Sequence, residues 1–550
     1  MPSLRSAPAG GAFRRRFTEY GGLFYDEFSL DSAWLRETAR IRLPPLVGCD
    51  ALLLGGEYAP HPAARGLEAG PPGLVVKVNG RPAGRLREPV PGLWGVRVPL
   101  PPQAGERDTV LDLALTGTGW SNFLAWIGRV SRLGPLQRYR RQNKNRQLRI
   151  RTVSTDDGEI IYDFSQRDGP FSRAFARRHA RLGLNIVGFL TADLGVGESA
   201  RCMVRAADAA GLPSALVPLK LHCRNPLGDP TYSARLQEAN PHGVNVIHVD
   251  PPAARDIDHH HGAGFRRGKY NVGYFAWELP EFPDAWLSSL DHFDEIWCPS
   301  EFVRMAIAPK SPLPVLTMPH AIAFDGPAAG SAELRASFGL PPDRFLFLTL
   351  FDLNSYSERK NPGAALEAFR RSGLGAGGGA GLVVKVHNVG ANPGDLARLE
   401  AAAREIPGVV LLTETLSRTD IYALEAACDA LISLHRSEGF GLVVAECMRL
   451  GKPAIATDWS ATAEYLNGDN GCPVRSRPIV LDRSHGPYAR GSTWAEPDPA
   501  HAAEYMRRLA GDPPLAERLG AAARATIEAR FAPEIVGTLY RRRLEAIATF

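Results

Sequence analysis

From residue 183 onward the chain alternates short apolar runs with helical stretches, and this alternation constrains its fold more than any other feature. LNIVGFL, VNVIHV, YNVGYFAW and EIWCPS have the length and residue types of buried strands, and stretches such as ESARCMVRAADAAG and FVRMAIAP lie between them. After about residue 312 a second series begins, with PVLTMPH, FLFLTLF, GLVVKVHN, VVLLTE, ALISL and PAIAT again separated by helices. Strand–helix alternation implies parallel sheets in doubly wound domains. Two such domains in tandem suggest a cleft at facing sheet edges, where the carboxyl ends of strands gather ligands. The expected fold is α/β. A first Rossmann-like domain is expected over 183–311, a second over 312–530, and an amphipathic C-terminal helix over 531–550.

The N-terminal third has a different pattern. ARIRLP, GLVVKVNGRP, WGVRVPL and TVLDLAL alternate or run apolar over short lengths between Gly/Pro turns, the signature of an antiparallel β-sandwich. It is expected over 18–160. Charge is also uneven here. No acidic residue lies between Asp112 and Asp156, while residues 120–155 hold nine basic ones. With a total of +5, the remainder of the chain carries −4, too mild a balance to argue for nucleic acid. Seven cysteines are scattered without a CxxC, which argues for a reducing compartment rather than a disulfide framework or zinc cage. No apolar stretch of 7–15 residues follows the N-terminal arginines, so no secretory signal is expected. The FLFLTLF run falls far short of the roughly 20 residues of a membrane span. These features point to a soluble, cytoplasmic protein.

The segment SEGFGLVVAECMRLGKPAIAT, residues 437–457, carries the strongest chemical pattern. A strand ends near Leu434, and a loop HRSEGFG leads into a helix. Gly439 and Gly441 let backbone approach a ligand, and the helix N-terminus favours a phosphate. Glu438 lies in the loop and Glu446 one or two turns into the helix. A carboxylate accepts two hydrogen bonds from adjacent hydroxyls, so one glutamate can hold a sugar ring and the other a ribose. On residue types alone, an ordinary strand–loop–helix with two solvated glutamates fits equally well.

E-G-F-G-x-x-x-x-E followed by G-K-P-A-I-A-T resembles the E-x7-E signature of retaining GT-B glycosyltransferases of the family 4 (group 1) type, and the resemblance spans roughly residues 183–545. It implies two Rossmann-like domains facing a cleft. It places Glu438 beside the donor sugar, Glu446 on the ribose hydroxyls, and the backbone of Gly439, Phe440 and Gly441 against sugar and phosphate.

Further residues join this picture. In FDLNSYSERKNPGAALEAF, Asn361 can cap a helix with Pro362 at its first position, and Lys360 sits at that helix's positive end. The resemblance assigns Lys360 to the leaving diphosphate. The family's G-R is replaced by Phe351-Asp352, leaving Arg359 as a substitute arginine; otherwise both cations are surface charges. Gly195 and Gly197 precede a helix starting near Glu198 and match the family's first glycine loop, on the donor-binding side of the cleft. His248 follows a strand, where the family has a catalytic cleft histidine; a packed polar residue is the alternative. Tyr274, Trp277 and Glu278 are candidates for the acceptor groove, and Asp458 and Ser460 for a loop over the donor.

Asp256-Ile257-Asp258 before His259-His260-His261 imitates a metal motif but follows Pro-Pro-Ala-Ala, as expected of a solvated loop. No GxxxxGK[ST] or GxSxG occurs. In SNFLAWIGRVSRLGPLQRYRR, Phe123, Trp126, Ile127, Val130 and Leu133 recur at helical spacing with Arg129 and Arg132 off that face. A basic amphipathic helix suits a membrane surface or an anionic lipid-linked acceptor, and equally a helix packed on the sandwich. The resemblance implies a hexosyltransferase that moves mannose or glucose from a nucleotide-diphosphate sugar to a glycan or lipid-linked glycan. It needs no metal or other cofactor, and is cytoplasmic with peripheral membrane contact through 120–151. The rival is a glycan-binding protein with an inactive transferase half, kept open by the missing G-R arginine.

Overall fold

The computed structural model describes residues 20–24, 32–43, 46, 48–59, 71–105, 109–117, 148–166, 170–172, 175, 182–262 and 264–548. Most of the basic segment, from 120 to 147, lies outside the described residues. The chain divides into two compact units whose bulk is 11–182 and 183–541.

The first unit is antiparallel β. Its strands are β1 (Tyr20–Phe24), β2 (Ala33–Leu43), β3 (Ala51–Tyr58), β4 (Gly73–Val78), β5 (Arg81–Leu86), β6 (Gly92–Pro99), β7 (Thr109–Thr116), β8 (Leu148–Thr155) and β9 (Ile160–Asp163). They form one sheet in the order β5-β4-β7-β2-β8-β3-β6, with β1 on β2 and β9 on β8. Alternate residues are buried along β6, as one solvated face requires. Leu74, Val76 and Leu111 share a core with Leu52, Leu54 and Ile150. The strands expected to make a sandwich form one continuous antiparallel sheet. Strand β2 has 11 residues, and pairs with β8 through Ala33–Trp34 and with β7 through Thr38–Leu43. A strand this long pairs with different neighbours along its two ends, which alternation alone does not reveal.

The second unit holds two parallel sheets. The first consists of β10 (Leu184–Gly188), β11 (Ser214–Pro218), β12 (Val244–His248), β13 (Tyr270–Tyr274), β14 (Glu295–Cys298) and β15 (Val315–Thr317), in the order β11-β10-β12-β13-β14-β15. The second consists of β16 (Phe345–Asp352), β17 (Ala380–His387), β18 (Val409–Leu412), β19 (Ala430–Ser433), β20 (Ala454–Thr457) and β21 (Cys472–Val474), in the order β18-β17-β16-β19-β20-β21. Every residue of β10, β12 and β13 is buried, because helices cover both faces of a parallel sheet. Strand β15, expected to open the second series, instead completes the first sheet, with Ile296 opposite Val315. The boundary between the two series therefore falls after Thr317, not near 312. Apolar runs report burial but not which sheet a strand joins.

Two further elements tie this unit together. The helix Pro533–Ile547 returns to the first sheet, where Tyr540 stacks on Trp297 at 5.4 Å. A hairpin of β22 (Ser476–Val480) and β23 (Thr493–Pro497) follows β21, and its Leu481, Tyr488 and Trp494 share a core with Trp277 and Phe282.

Candidate functional site

The strand order of each parallel sheet reverses once, between β10 and β12 in the first and between β16 and β19 in the second. Loops leave such a point in opposite directions and open a crevice at the strands' carboxyl ends. Lys360 follows β16 and Glu438 follows β19, so the two residues flank the reversal point of the second sheet.

The loop after β16 is strained. Tyr356 and Asn361 have φ of 61° and 54°; asparagine visits this region readily, but a tyrosine holds it only where its surroundings impose it. Between them runs the short helix Ser357–Lys360. Asn361 does not cap the helix Pro362–Ser372 with its side chain. Its amide donates to Leu434 O at 3.1 Å instead, satisfying a buried carbonyl at the end of β19 and tying the two loops together.

Glu438 is the centre of the site. Lys360 Nζ donates to its Oε1 at 2.5 Å, and Arg359 Nη1 lies 3.3 Å from the same oxygen. Arg359 also donates to Ser437 O at 2.9 Å and faces Glu278 Oε1 at 3.7 Å. Burial alone would raise the Glu438 carboxyl, but Lys360 and Arg359 overcome it and hold the group at about 2. The carboxylate is therefore an anion throughout the physiological range. Its backbone N–H donates to Ser460 Oγ at 2.9 Å, and Ser460 is itself in the left-handed region at φ 63°. Beside it, His435 is fully buried, with Nε2 3.0 Å from Thr462 Oγ1 and Nδ1 unpartnered; burial lowers its ring to about 4.

Gly441 starts the helix Leu442–Arg449 in the left-handed region at φ 87°, where a Cβ would lie 2.6 Å from Thr462 Cγ2. Gly439 lies under the backbone of the first sheet's loop, and a Cβ there would sit 2.9 Å from Trp277 O. Phe440 between them is buried against His320 and Phe531. The first N–H groups of a helix lack intrahelical acceptors, so this N-terminus offers donors beside Glu438.

Glu446 sits one turn into that helix and is bonded by Arg418 Nη2; its Oε2 is buried without a partner. Burial raises the Glu446 carboxyl against the pull of Arg418. Arg418 also lies 3.8 Å from Glu198, in the helix Gly195–Ala209 of the first sheet. Glu198 is bonded by Arg201 and Arg205, and Arg201 also meets Asp229 at 3.1 Å. Despite its burial these cations lower the Glu198 carboxyl. Gly195 begins this helix in open space, whereas Gly197 is demanded by packing, since a Cβ would lie 2.6 Å from Phe189 O. Sequence reasoning missed Arg418. The capping box Ser417–Asp420 fixes the start of its helix. An arginine in a first turn opposes the macrodipole, which signals a partner elsewhere.

His248 lies in packed surroundings. It is fully buried, with ring nitrogens 2.9 Å from Ser199 Oγ and 3.4 Å from Met203 Sδ, and it stacks on Tyr274 at 4.4 Å. A histidine at an inner strand's end points into packed core as readily as into the cleft. Both nitrogens are engaged, and burial holds it neutral. Tyr274 is likewise buried, donating to Met318 O at 2.7 Å. Trp277 is packed among Trp286, Phe282 and Tyr488. Asp458 is exposed. Asp258 lies in the helix Ile257–His261 and pairs with Arg266 at 2.5 Å. Among the described residues no helix is long and apolar enough to cross a membrane.

Residues 331–526 match the family model of glycosyl transferases group 1. Among curated proteins no sequence matches the chain. Solved structures resemble it at low identity. HepE from Anabaena, in complex with UDP and glucose, is 13% identical with a TM-score of 0.50, over 66% of this chain and 100% of HepE. Sucrose-phosphate synthase from Thermosynechococcus elongatus is 15% identical with a TM-score of 0.47, over 66% of this chain and 100% of the synthase. TarM from S. aureus is 12% identical with a TM-score of 0.40, over 55% of each chain. The fold is α/β with the GT-B architecture, preceded by an antiparallel β region. The segment that matches the group 1 family model carries Lys360, Glu438 and Glu446.

Proposed function

We propose that the chain is a retaining transferase of the family 4 type, moving a mannose- or glucose-type hexose from a nucleotide-diphosphate sugar to a glycan or lipid-linked glycan in polysaccharide synthesis. The observation that carries this reading is the buried Glu438 carboxylate, held through one oxygen by Lys360 and Arg359 at the reversal point of the second sheet. HepE, similar in fold, was crystallised with UDP and glucose, which supports a nucleotide-sugar donor. In this reading the cytoplasmic enzyme meets the membrane face through 120–151. The β unit, the two Rossmann-like domains and the C-terminal helix form its working parts.

The chemistry follows from charge. As the bond from sugar C1 to the diphosphate oxygen breaks, its electron pair passes to the diphosphate. Lys360, Arg359 and the helix N-termini stabilise that growing charge without a metal. Glu438 faces the sugar, whose ring acquires positive character. The acceptor hydroxyl attacks C1 from the same face and gives its proton to the departing phosphate oxygen. Glu446 holds the ribose in ground and transition states alike. The rival reading, a glycan-binding protein with a dead transferase half, rests on the missing G-R arginine; the position of Arg359, 3.3 Å from Glu438, favours the active enzyme over it.

The test is release of free nucleoside diphosphate from a panel of nucleotide hexoses with glycan and lipid-linked acceptors, followed by the anomeric configuration of the product by NMR. Release with retained configuration is expected. No release with any donor would overturn the reading, and an inverted product would overturn the retaining mechanism.

A further inference from the structure

The hairpin β22–β23 carries an aromatic side chain to the site from a segment that has no place in the motifs. It is pinned to the loop after β19, where Ala495 N donates to Arg436 O at 3.0 Å and Arg436 pairs with Glu496 at 2.6 Å. Between its strands Tyr488 is 2% exposed and packs on Trp277 at 5.7 Å. Its hydroxyl lies 3.2 Å from Glu278 Oε2, and the Arg359 guanidinium stands 6.0 Å over its ring.

These contacts form a chain: Tyr488 donates to Glu278, Glu278 faces Arg359, and Arg359 faces Glu438. Both cations beside Glu438 meet its Oε1. Among the described residues no side chain bonds Oε2, which is therefore the oxygen presented to a sugar hydroxyl. A guanidinium forks, and with no second carboxylate beside it Arg359 would bind both oxygens of Glu438. Glu278 occupies the other arm of that fork, at 3.7 Å from Nη2.

We propose that Glu278 and Tyr488 are positioning residues of the transfer reaction: Tyr488 anchors Glu278, and Glu278 holds Arg359 so that one oxygen of Glu438 stays available to the donor sugar. This rests on the glycosyltransferase reading above. Neither residue touches the nucleotide in this arrangement, so their removal acts on the sugar step and not on nucleotide capture.

The experiment uses the full chain and four proteins: wild type, Tyr488→Phe, Glu278→Gln and the double variant. Tyr488→Phe keeps the ring and its packing, so it stays folded and keeps the test falsifiable where Glu278→Gln fails to fold; melting curves establish which variants are folded. Expected is a three- to tenfold fall in kcat for Tyr488→Phe and a ten- to fiftyfold fall for Glu278→Gln. Donor KM and the Kd of free nucleoside diphosphate should change less than twofold. The double variant should be no slower than Glu278→Gln, since both act along one chain. A folded Tyr488→Phe with wild-type kcat, or one whose loss lies in KM and nucleotide affinity, overturns this inference alone. Wild-type protein that transfers no sugar overturns the glycosyltransferase reading, and this inference with it.

Discussion

Replacing Glu438 by glutamine removes one negative charge and little volume, and its effect follows from the site's geometry. The carboxyl is held at about 2 against an ordinary 4.5, a difference worth about 3 kcal/mol of native stability. That agrees with the roughly 3–5 kcal/mol expected when one partner of a buried pair is removed. The unit 183–541 gains entropy on unfolding at about 2.1 cal/mol/K per residue, so 3 kcal/mol lowers its Tm by about 4 °C. The sign with pH is fixed. A depressed carboxyl contributes stability above its unfolded value near 4.5, and the contribution is lost as pH falls toward 2. The gap in Tm between wild type and Glu438→Gln should therefore be constant from pH 7 to 5 and narrow below 4.5. Calorimetry across that range, with titration by nucleoside diphosphate and turnover with full donor, reads all three consequences. Transfer should collapse while nucleoside diphosphate still binds nearly as in wild type. An unchanged Tm at pH 7, or a gap that widens on acidification, would refute the charge-pair argument. Loss of nucleotide binding would refute the placement of Glu438 on the sugar.

Other outcomes follow from the same geometry. Glu446→Ala should weaken nucleoside diphosphate binding by about 1.5–3 kcal/mol, or ten- to a hundredfold, and raise donor KM more than it lowers kcat; calorimetric titration checks it. Lys360→Ala should depress kcat more than donor affinity, because the charge it faces grows as the diphosphate leaves, and steady-state kinetics separate the two. Gly441→Ala forces a Cβ to within 2.6 Å of Thr462 at φ 87°, which should cost about 1–3 kcal/mol and lower both Tm and turnover. Reversing Arg138, Arg140 and Arg141 to glutamate should abolish co-sedimentation with anionic liposomes, a binding that should also weaken with salt over a screening length of about 8–10 Å; wild-type protein that ignores such liposomes at low salt removes the membrane proposal.

The features legible in the sequence were those whose cause is local. The strand runs of both parallel sheets, the glycine loop of Gly439–Gly441 and the pairing of Glu438 with Glu446 all lie within short windows, where periodicity and turn chemistry act. The antiparallel character of the first unit was legible for the same reason, because β6 alternates buried and exposed residues along its own length. What needed the tertiary structure joins residues far apart in the chain. Arg359 meets Glu438, Glu278 and, across the hairpin, the ring of Tyr488. Arg418 bridges Glu446 to Glu198. His248 looks, in sequence, like any residue at a strand's end, and only the helix packed over β12 decides that it is buried and neutral. Strand β15 carries the same apolar signal whichever sheet it joins, and hydrogen bonding to β14 settles the matter. The sequence by itself determined the elements, their alternation and the two glutamates. The charge state of Glu438, the arginine beside it and the burial of His248 were decided by long-range packing, because burial and Coulomb interaction depend on distance in space and not along the chain.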